Sequence, residues 1–391
     1  MNDMQSQSNR ALYTGGALSA LVVFVLLSIF PILTQYFEYK ITDIKYSFRS
    51  MLDEEPEMNS SIVMVNLDDY SKIQSGKPLW PYRYYADVLE KISSGEPTSI
   101  GVDIMLTNTI DTSGFSAILS AMEESFLTIN PYLVQFGDTK EPVDATSHHD
   151  ILSELINMDE VPQVSPGIIN HVVDILYKSR EDILSSSAGI GFVNIVPDID
   201  GVLRRLPIVA EINGLLAPHF FLRLLCEHLQ YDIGNIEVVN KRKIILHDFP
   251  AGELSNDVSL PLDGQGNMLI NYISLEKVKT LIKSGKYMSI SAWDVINSRA
   301  IDLSDKTVLF GDNSAATKDF STTPIDALLP NPLIFSMAMS NILEESFIQA
   351  SLPQTTLAIL IIVLICFFLI ASRVEAFQFA LISYGALVLY I

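Results

Sequence analysis

Apolar positions along the chain fall into short β-rich runs, separated by stretches with helical spacing. SIVMVNL (Ser61 to Leu67) and SIGVDIML (Ser99 to Leu106) predict buried strands, and Tyr84 to Ile92 between them has the spacing of a helix, a βαβ rhythm. Ser113 to Ser125 predicts a helix and Phe126 to Gln135 a strand. Gly137 to Gln163 is polar and contains prolines, which predicts a surface insertion. Ile168, Val172, Ile175 and Leu176 recur at helical spacing up to Lys178. GIGFVNIV and VLRRLPIVAEI flank PDIDG (Pro197 to Gly201) and predict a hairpin closed by a glycine turn. A helix is expected over Phe220 to Leu229, strands over Lys243 to Leu246 and Met268 to Tyr272, a short helix over Ser291 to Asn297, a strand over Thr307 to Gly311 and a last helix over Leu333 to Glu345.

Three uncharged apolar runs lie outside this pattern. Residues 11–37 and 346–372 are each longer than the roughly 20 residues a helix needs to span a bilayer, and 376–391 is still apolar where the sequence stops, which predicts a third, apparently truncated span. No small-residue cleavage pattern follows the first run, so it is expected to remain as an anchor. Arg10 and Arg373 flank the spans on one side, placing 38–345 outside the cytoplasmic membrane. Apart from Asp3, Arg10, Arg373 and Glu375, every charge of the chain falls in 38–345, so the whole net charge of −21 sits there. Such a field repels phosphate backbones and disfavours nucleic acid as a partner, while neutral and cationic ligands stay open. The two cysteines, Cys226 and Cys366, build no disulfide framework.

The series IVMVNLDD, LWPYRYYADVLEKI, IGVDIML, GFVNIVPDIDGVLRRLPIV, ISAWDVIN and KTVLFGDNSAATKDFSTTP, in this order, resembles the extracellular sensory domain family associated with cyclases and histidine kinases, CHASE type two. The resemblance implies one span before the sensor, further spans after it and a cytoplasmic output module, which this sequence does not contain. Where the family commonly carries a His-Ala-Asn stretch, this chain has Phe335, Ser336 and Met337.

Candidate chemistry gathers at predicted strand ends. Asp68 and Asp69 follow the first strand, Asp103 lies in the second, and Asp312 follows the last; if these strands are parallel, their ends border the usual ligand crevice of an α/β sheet. Such carboxylates hold a cation or an amine, with Arg83 and Lys318 to balance them, or else they cap helices and turns. Asp103, between Val102 and Ile104, needs a partner, because an unpaired buried charge is expensive. Trp80-Pro-Tyr-Arg-Tyr-Tyr85 is either an aromatic ligand wall or core. His148, His149 and Asp150 lack the convergence a metal site requires, and no Walker loop, HExxH or GxSxG occurs.

The expectation is therefore a mixed-sheet α/β extracytoplasmic sensor domain flanked by transmembrane helices, in a multi-pass inner-membrane protein with 38–345 periplasmic or extracellular. It binds an unknown small ligand through Asp68, Asp69, Trp80, Arg83, Asp103, Asp312 and Lys318, with no catalytic, cofactor or metal residues and with a homodimer admitted. An envelope hydrolase using the Asp cluster with a divalent metal is the alternative, and a structural assembly partner a further one.

Overall fold

The computed structural model describes residues 31–107, 111–137, 142–157, 170–250 and 256–349, with positions 361, 362 and 365. Its elements in the first half are α1 (Pro31–Met51), β1 (Ile62–Leu67), α2 (Asp69–Ser75), α3 (Tyr82–Ser93), β2 (Ser99–Asp103), α4 (Thr112–Ser125), β3 (Thr128–Phe136), α5 (His149–Leu152), β4 (Ile156–Asn157), β5 (Asn170–Lys178), α6 (Glu181–Ser185) and β6 (Gly189–Phe192). There follow β7 (Arg205–Pro207), β8 (Val209–Ile212), β9 (Leu215–Pro218), α7 (Phe220–Leu229), β10 (Ile236–Asn240), β11 (Lys243–Phe249), β12 (Asn256–Pro261), β13 (Asn267–Leu269), α8 (Leu275–Lys283), β14 (Met288–Ser291), α9 (Ala292–Asn297), β15 (Thr307–Asp312), β16 (Phe320–Ser321), β17 (Leu329–Pro330) and α10 (Asn331–Leu343).

Two compact units result, Tyr46–Ala350 and a second made of 1–45 with 351–391; the boundary falls within α1. The expected spans 11–37, 346–372 and 376–391 lie outside the described residues except for 31–37, 346–349, 361, 362 and 365. Among the described residues no helix is long and apolar enough to cross a membrane.

A mixed ten-stranded sheet, in the order β14-β1-β15-β2-β3-β5-β8-β9-β4 with β6 also on β3, forms the centre of the larger unit. The βαβ rhythm is realised: β14, β1, β15, β2 and β3 all run parallel, whereas β5 is antiparallel to β3. Strand β15, late in sequence, lies between β1 and β2.

Side-chain alternation divides the core between the two faces of this sheet. Ile62 and Met64 of β1 and Leu309 of β15 pack with α7, α8 and α10, and the small β10-β11-β12 sheet extends the same cluster. Val63, Val65, Leu67, Val308 and Phe310 pack on the other face with α3, α4 and α9. Burial on both faces explains why these strands read as nearly continuous apolar runs. Gly311 lets α10 approach: a Cβ there would lie 2.7 Å from Cγ of Pro332.

Two expectations are corrected. Residues expected to be helical up to Lys178 form β5, with register shifts against β3 between Leu133 and Val134 and between Gln135 and Phe136. The hairpin around PDIDG does not exist as a strand pair. Its turn is real, with Asp198 N–H donating to Val202 O and Gly201 at φ 79°, but β6 pairs with β3, β7 with β13, and β8 with β5 and β9. The turn is held by charge instead: fully buried Arg204 donates to Asp198 and Asp200 at 2.9 Å each, and Arg205 reaches Asp263 at 2.7 Å. These contacts stitch the turn to neighbouring segments rather than strand to strand.

Candidate functional site

The carboxyl ends of the parallel strands lie together, but the aspartates there fall into two groups. Asp68 caps α2: its Oδ1 accepts from Ser71 N–H at 2.8 Å, Ser71 Oγ at 2.7 Å and Ser291 Oγ at 2.9 Å. Asp69 accepts from Ala315 N–H, and Asp312 is paired with Lys72 at 3.0 Å while accepting from the amide and hydroxyl of Ser314. These three carboxylates are committed to caps, turns and one ion pair.

Asp103 belongs to the other group. It is the last residue of β2 rather than an interior one, and it lines a cavity of about 350 Å³ with Met105, Leu133, Val193, Ile195, Asp319, Asn331 and Phe335. Its Oδ2 is shielded from solvent, and among the described residues it has no hydrogen-bond partner. The expectation that Asp103 needs a protein partner is therefore not met. Burial pushes its carboxyl well above the usual carboxylate range, and the nearby Asp319 adds to the rise. Asp319 is also raised, mainly by burial and further by Asp312, while a hydrogen bond from Asn331 opposes the shift.

Helix α10 closes this cavity with its first turn and a half. Asn331 donates from Nδ2 to Asp319 Oδ1 at 2.5 Å and from its backbone to Asp319 O, and its own Oδ1 accepts from Ser321 Oγ at 2.7 Å. Phe335 is apolar wall, with its ring 5.1 Å from that of His219. His219 caps α7 by accepting Phe221 N–H on Nδ1, and full burial pushes its imidazole down to about 3, so it stays neutral.

At its other end α10 is bonded to the 270–272 segment, which the last turns of α1 also hold. Asn341 and Asn271 exchange hydrogen bonds, Asn271 N–H to Asn341 Oδ1 at 2.8 Å and Asn341 Nδ2 to Asn271 O at 3.3 Å. The Arg49 guanidinium donates to Asn271 Oδ1 and to Tyr272 O, and Tyr46 OH donates to Ile270 O. One rigid element of 13 residues, about 20 Å at 1.5 Å per residue, thus runs from the cavity to the junction at 270–272.

The remaining sequence-predicted residues lie elsewhere. Trp80 is 6% exposed in the core on the opposite face of the sheet, edge-on to Tyr84 and Tyr85, with Nε1 donating to Ser75 Oγ. Arg83 pairs with Asp87 at 2.8 Å on the surface of α3, and Lys318 is exposed at φ 56°. His149 and Asp150 start the short α5, and Asp150 pairs with Lys178 at 2.6 Å. Among the described residues no three or more His, Cys, Asp or Glu side chains gather as metal ligands, so the convergence that metal-assisted hydrolysis requires is absent there. Of the candidate residues, Asp103 alone lines the cavity. Asp319 lies in the KTVLFGDNSAATKDFSTTP series and Phe335 in the expected last helix, with Asn331 just before it, but none of these signals marks a cavity wall, so all three were missed as site residues.

The CHASE2 domain profile matches residues 18–371, nearly the whole chain. The chain belongs to the CHASE2 domain family. No curated protein and no solved structure matches it. CHASE2 is a sensory extracellular domain family, not a catalytic one, so this chain carries a sensor. Phe335 forms part of the cavity wall.

Proposed function

We propose that this CHASE2 chain is a membrane-anchored receptor whose residues 38–345 lie outside the cytoplasmic membrane. Spans over 11–37, 346–372 and 376–391 anchor it and pass the signal to a cytoplasmic output module, in a homodimer or alone. The family supports the sensory role, and the uncharged runs with Arg10 and Arg373 support the topology.

A small extracytoplasmic ligand binds in the Asp103 cavity. The observation that carries this reading is a single helix whose first turns line the cavity and whose last turn is hydrogen-bonded to Asn271. A ligand shifts an equilibrium only through its differential affinity for two states. Occupancy that moves Asn331 or Phe335 is felt at Asn341, and there it alters the junction of α10 with Tyr46 and Arg49.

Filling the cavity tests this without knowledge of the ligand. In the full chain in nanodiscs, Val193→Trp is expected to change hydrogen exchange over 270–272 and 341–346, while Asp144→Trp on an exposed loop leaves it unchanged. Unaltered exchange at those segments in Val193→Trp would refute the coupling. For topology, Asp144→Cys is expected to react with an impermeant thiol reagent in whole cells; labelling confined to permeabilised cells would reverse the orientation.

A further inference from the structure

The cavity combines two features that narrow its ligand. Its lining combines the apolar Met105, Leu133, Val193, Ile195 and Phe335 with Asp103, Asp319 and Asn331. Among the described residues no Lys or Arg lines it. Lys72 is bound to Asp312 and Ser314, and Lys318, next to Asp319 in sequence, is exposed.

We infer that the cavity takes a small organic cation, an ammonium group on a short hydrocarbon chain, with the nitrogen between Asp103 and Asp319 and the hydrocarbon against Phe335 and Val193. The inference rests on the sensor reading of the cavity and names its ligand class.

Complementarity carries the argument. Asp103 and Asp319 both line the cavity, and an ammonium group supplies N–H donors to these two carboxyls. Burying a carboxylate is costly unless it is paired, so without a ligand Asp103 keeps its proton, and an ammonium group that takes the proton's place brings the pairing charge. A divalent metal fits less well: Ca²⁺ and Mg²⁺ take six or more oxygens, and the remaining walls are hydrocarbon and thioether. An anion meets two carboxyls and no cation. The first turn of α10 contributes a partial positive charge, which two carboxyls outweigh. At the ~30 Å³ that one water occupies, about 350 Å³ holds on the order of ten non-hydrogen atoms, so the ligand is small.

The geometry also says how such a ligand is felt. Asp319 is hydrogen-bonded to Asn331 at 2.5 Å, so an ammonium group drawing on Asp319 pulls on the first turn of α10.

Isothermal titration of the full chain in nanodiscs at neutral pH, with n-butylammonium, n-butanol, butyrate and calcium chloride in turn, tests the inference. Butylammonium is expected to bind at one site per chain, with butanol and butyrate weaker by roughly tenfold or more. Asp103→Asn and Asp319→Asn are each expected to weaken butylammonium by a similar factor, with Asp144→Asn unchanged. Val193→Trp, which leaves both carboxyls in place, is expected to exclude the hydrocarbon and abolish binding. Equal binding of butanol or butyrate, tighter binding of calcium, binding indifferent to Asp103→Asn and Val193→Trp, or no binding by butylammonium would overturn it. The inference and the sensor reading fail separately. If Val193→Trp alters exchange over 270–272 while butylammonium does not bind, the ligand class is wrong and the coupling stands; if butylammonium binds through Asp103 without changing that exchange, the ligand class is right and the coupling is wrong.

Discussion

Replacing Asp103 by Asn is expected to stabilise the protein at neutral pH, although it removes a charged residue from the centre of the site. The folded chain raises the Asp103 carboxyl above its ordinary value of 3.8, chiefly by burial, so the folded state holds a proton that the unfolded state releases. Stability from this group is fully present below about pH 3.8 and is lost as pH rises through the raised native value. One proton changes stability by at most about 1.4 kcal/mol per pH unit, so between 3.8 and its raised native value wild type loses, at up to that slope, stability that Asp103→Asn, neutral at all pH, keeps. For a domain of this size that is roughly 2–5 °C in Tm per pH unit. Melting curves of both chains in nanodiscs, followed by near-ultraviolet circular dichroism from pH 4 upward, give the difference directly. It is expected to grow with pH and to level off above the native pKa. The carboxyl facing Asp103 is Asp319, with Asp312 behind it held by Lys72. Asp319→Asn is therefore expected to bring the plateau to lower pH. Parallel Tm curves for wild type and Asp103→Asn would mean that Asp103 is ionised and well solvated in the folded state, and the reasoning would fail.

Other consequences follow from the same geometry. Asp68→Ala removes an acceptor of three hydrogen bonds at the start of α2 and is expected to cost about 1–2 kcal/mol, read as a lower Tm, with n-butylammonium binding unaffected. His219 acts in the opposite sense to Asp103: its imidazole is depressed to about 3, so its contribution is present above about pH 6.5 and is lost as pH falls toward that value. His219→Phe is expected to remove up to about 1.4 kcal/mol per pH unit of acid sensitivity in that window, and an unchanged slope of Tm against pH would contradict the buried neutral imidazole.

Strands β1 and β15 of the parallel half were legible because they are buried on both faces and their sequences announce it, whereas the partly exposed edge strand β14 was missed; Ser61 to Leu67 became Ile62–Leu67 and Thr307 to Gly311 became Thr307–Asp312. The misreading of β5 has a specific cause. Val172 and Ile175 are buried at a spacing of three, as on a helix, because register shifts against β3 interrupt the strict alternation of a strand. The hairpin failed for another reason: a turn signal reports a reversal of the chain, not which strands pair afterwards, and the buried Arg204 cluster satisfies the turn by charge. The site was half legible. Asp103 drew attention as a carboxylate in an apolar run, but Asp319 and Asn331 come from a polar segment and a helix start that only the fold brings to the end of β2.

The position of β15 sets a clock on the assembly of the domain. Thr307 aligns with Ile62 on one side and with Ser99 on the other, where Ser99 and Thr307 share a buried hydroxyl contact at 2.8 Å. The two strands that flank β15 are thus made about 240 and about 200 residues before it. At about 5–20 residues per second the interval is roughly 10–50 s, far longer than the microseconds in which local structure forms. Throughout it β1 and β2 carry edges whose amides and carbonyls await a strand not yet made, a state prone to pairing with other chains. The nascent domain therefore depends on protection of its amino-terminal half until β15 arrives.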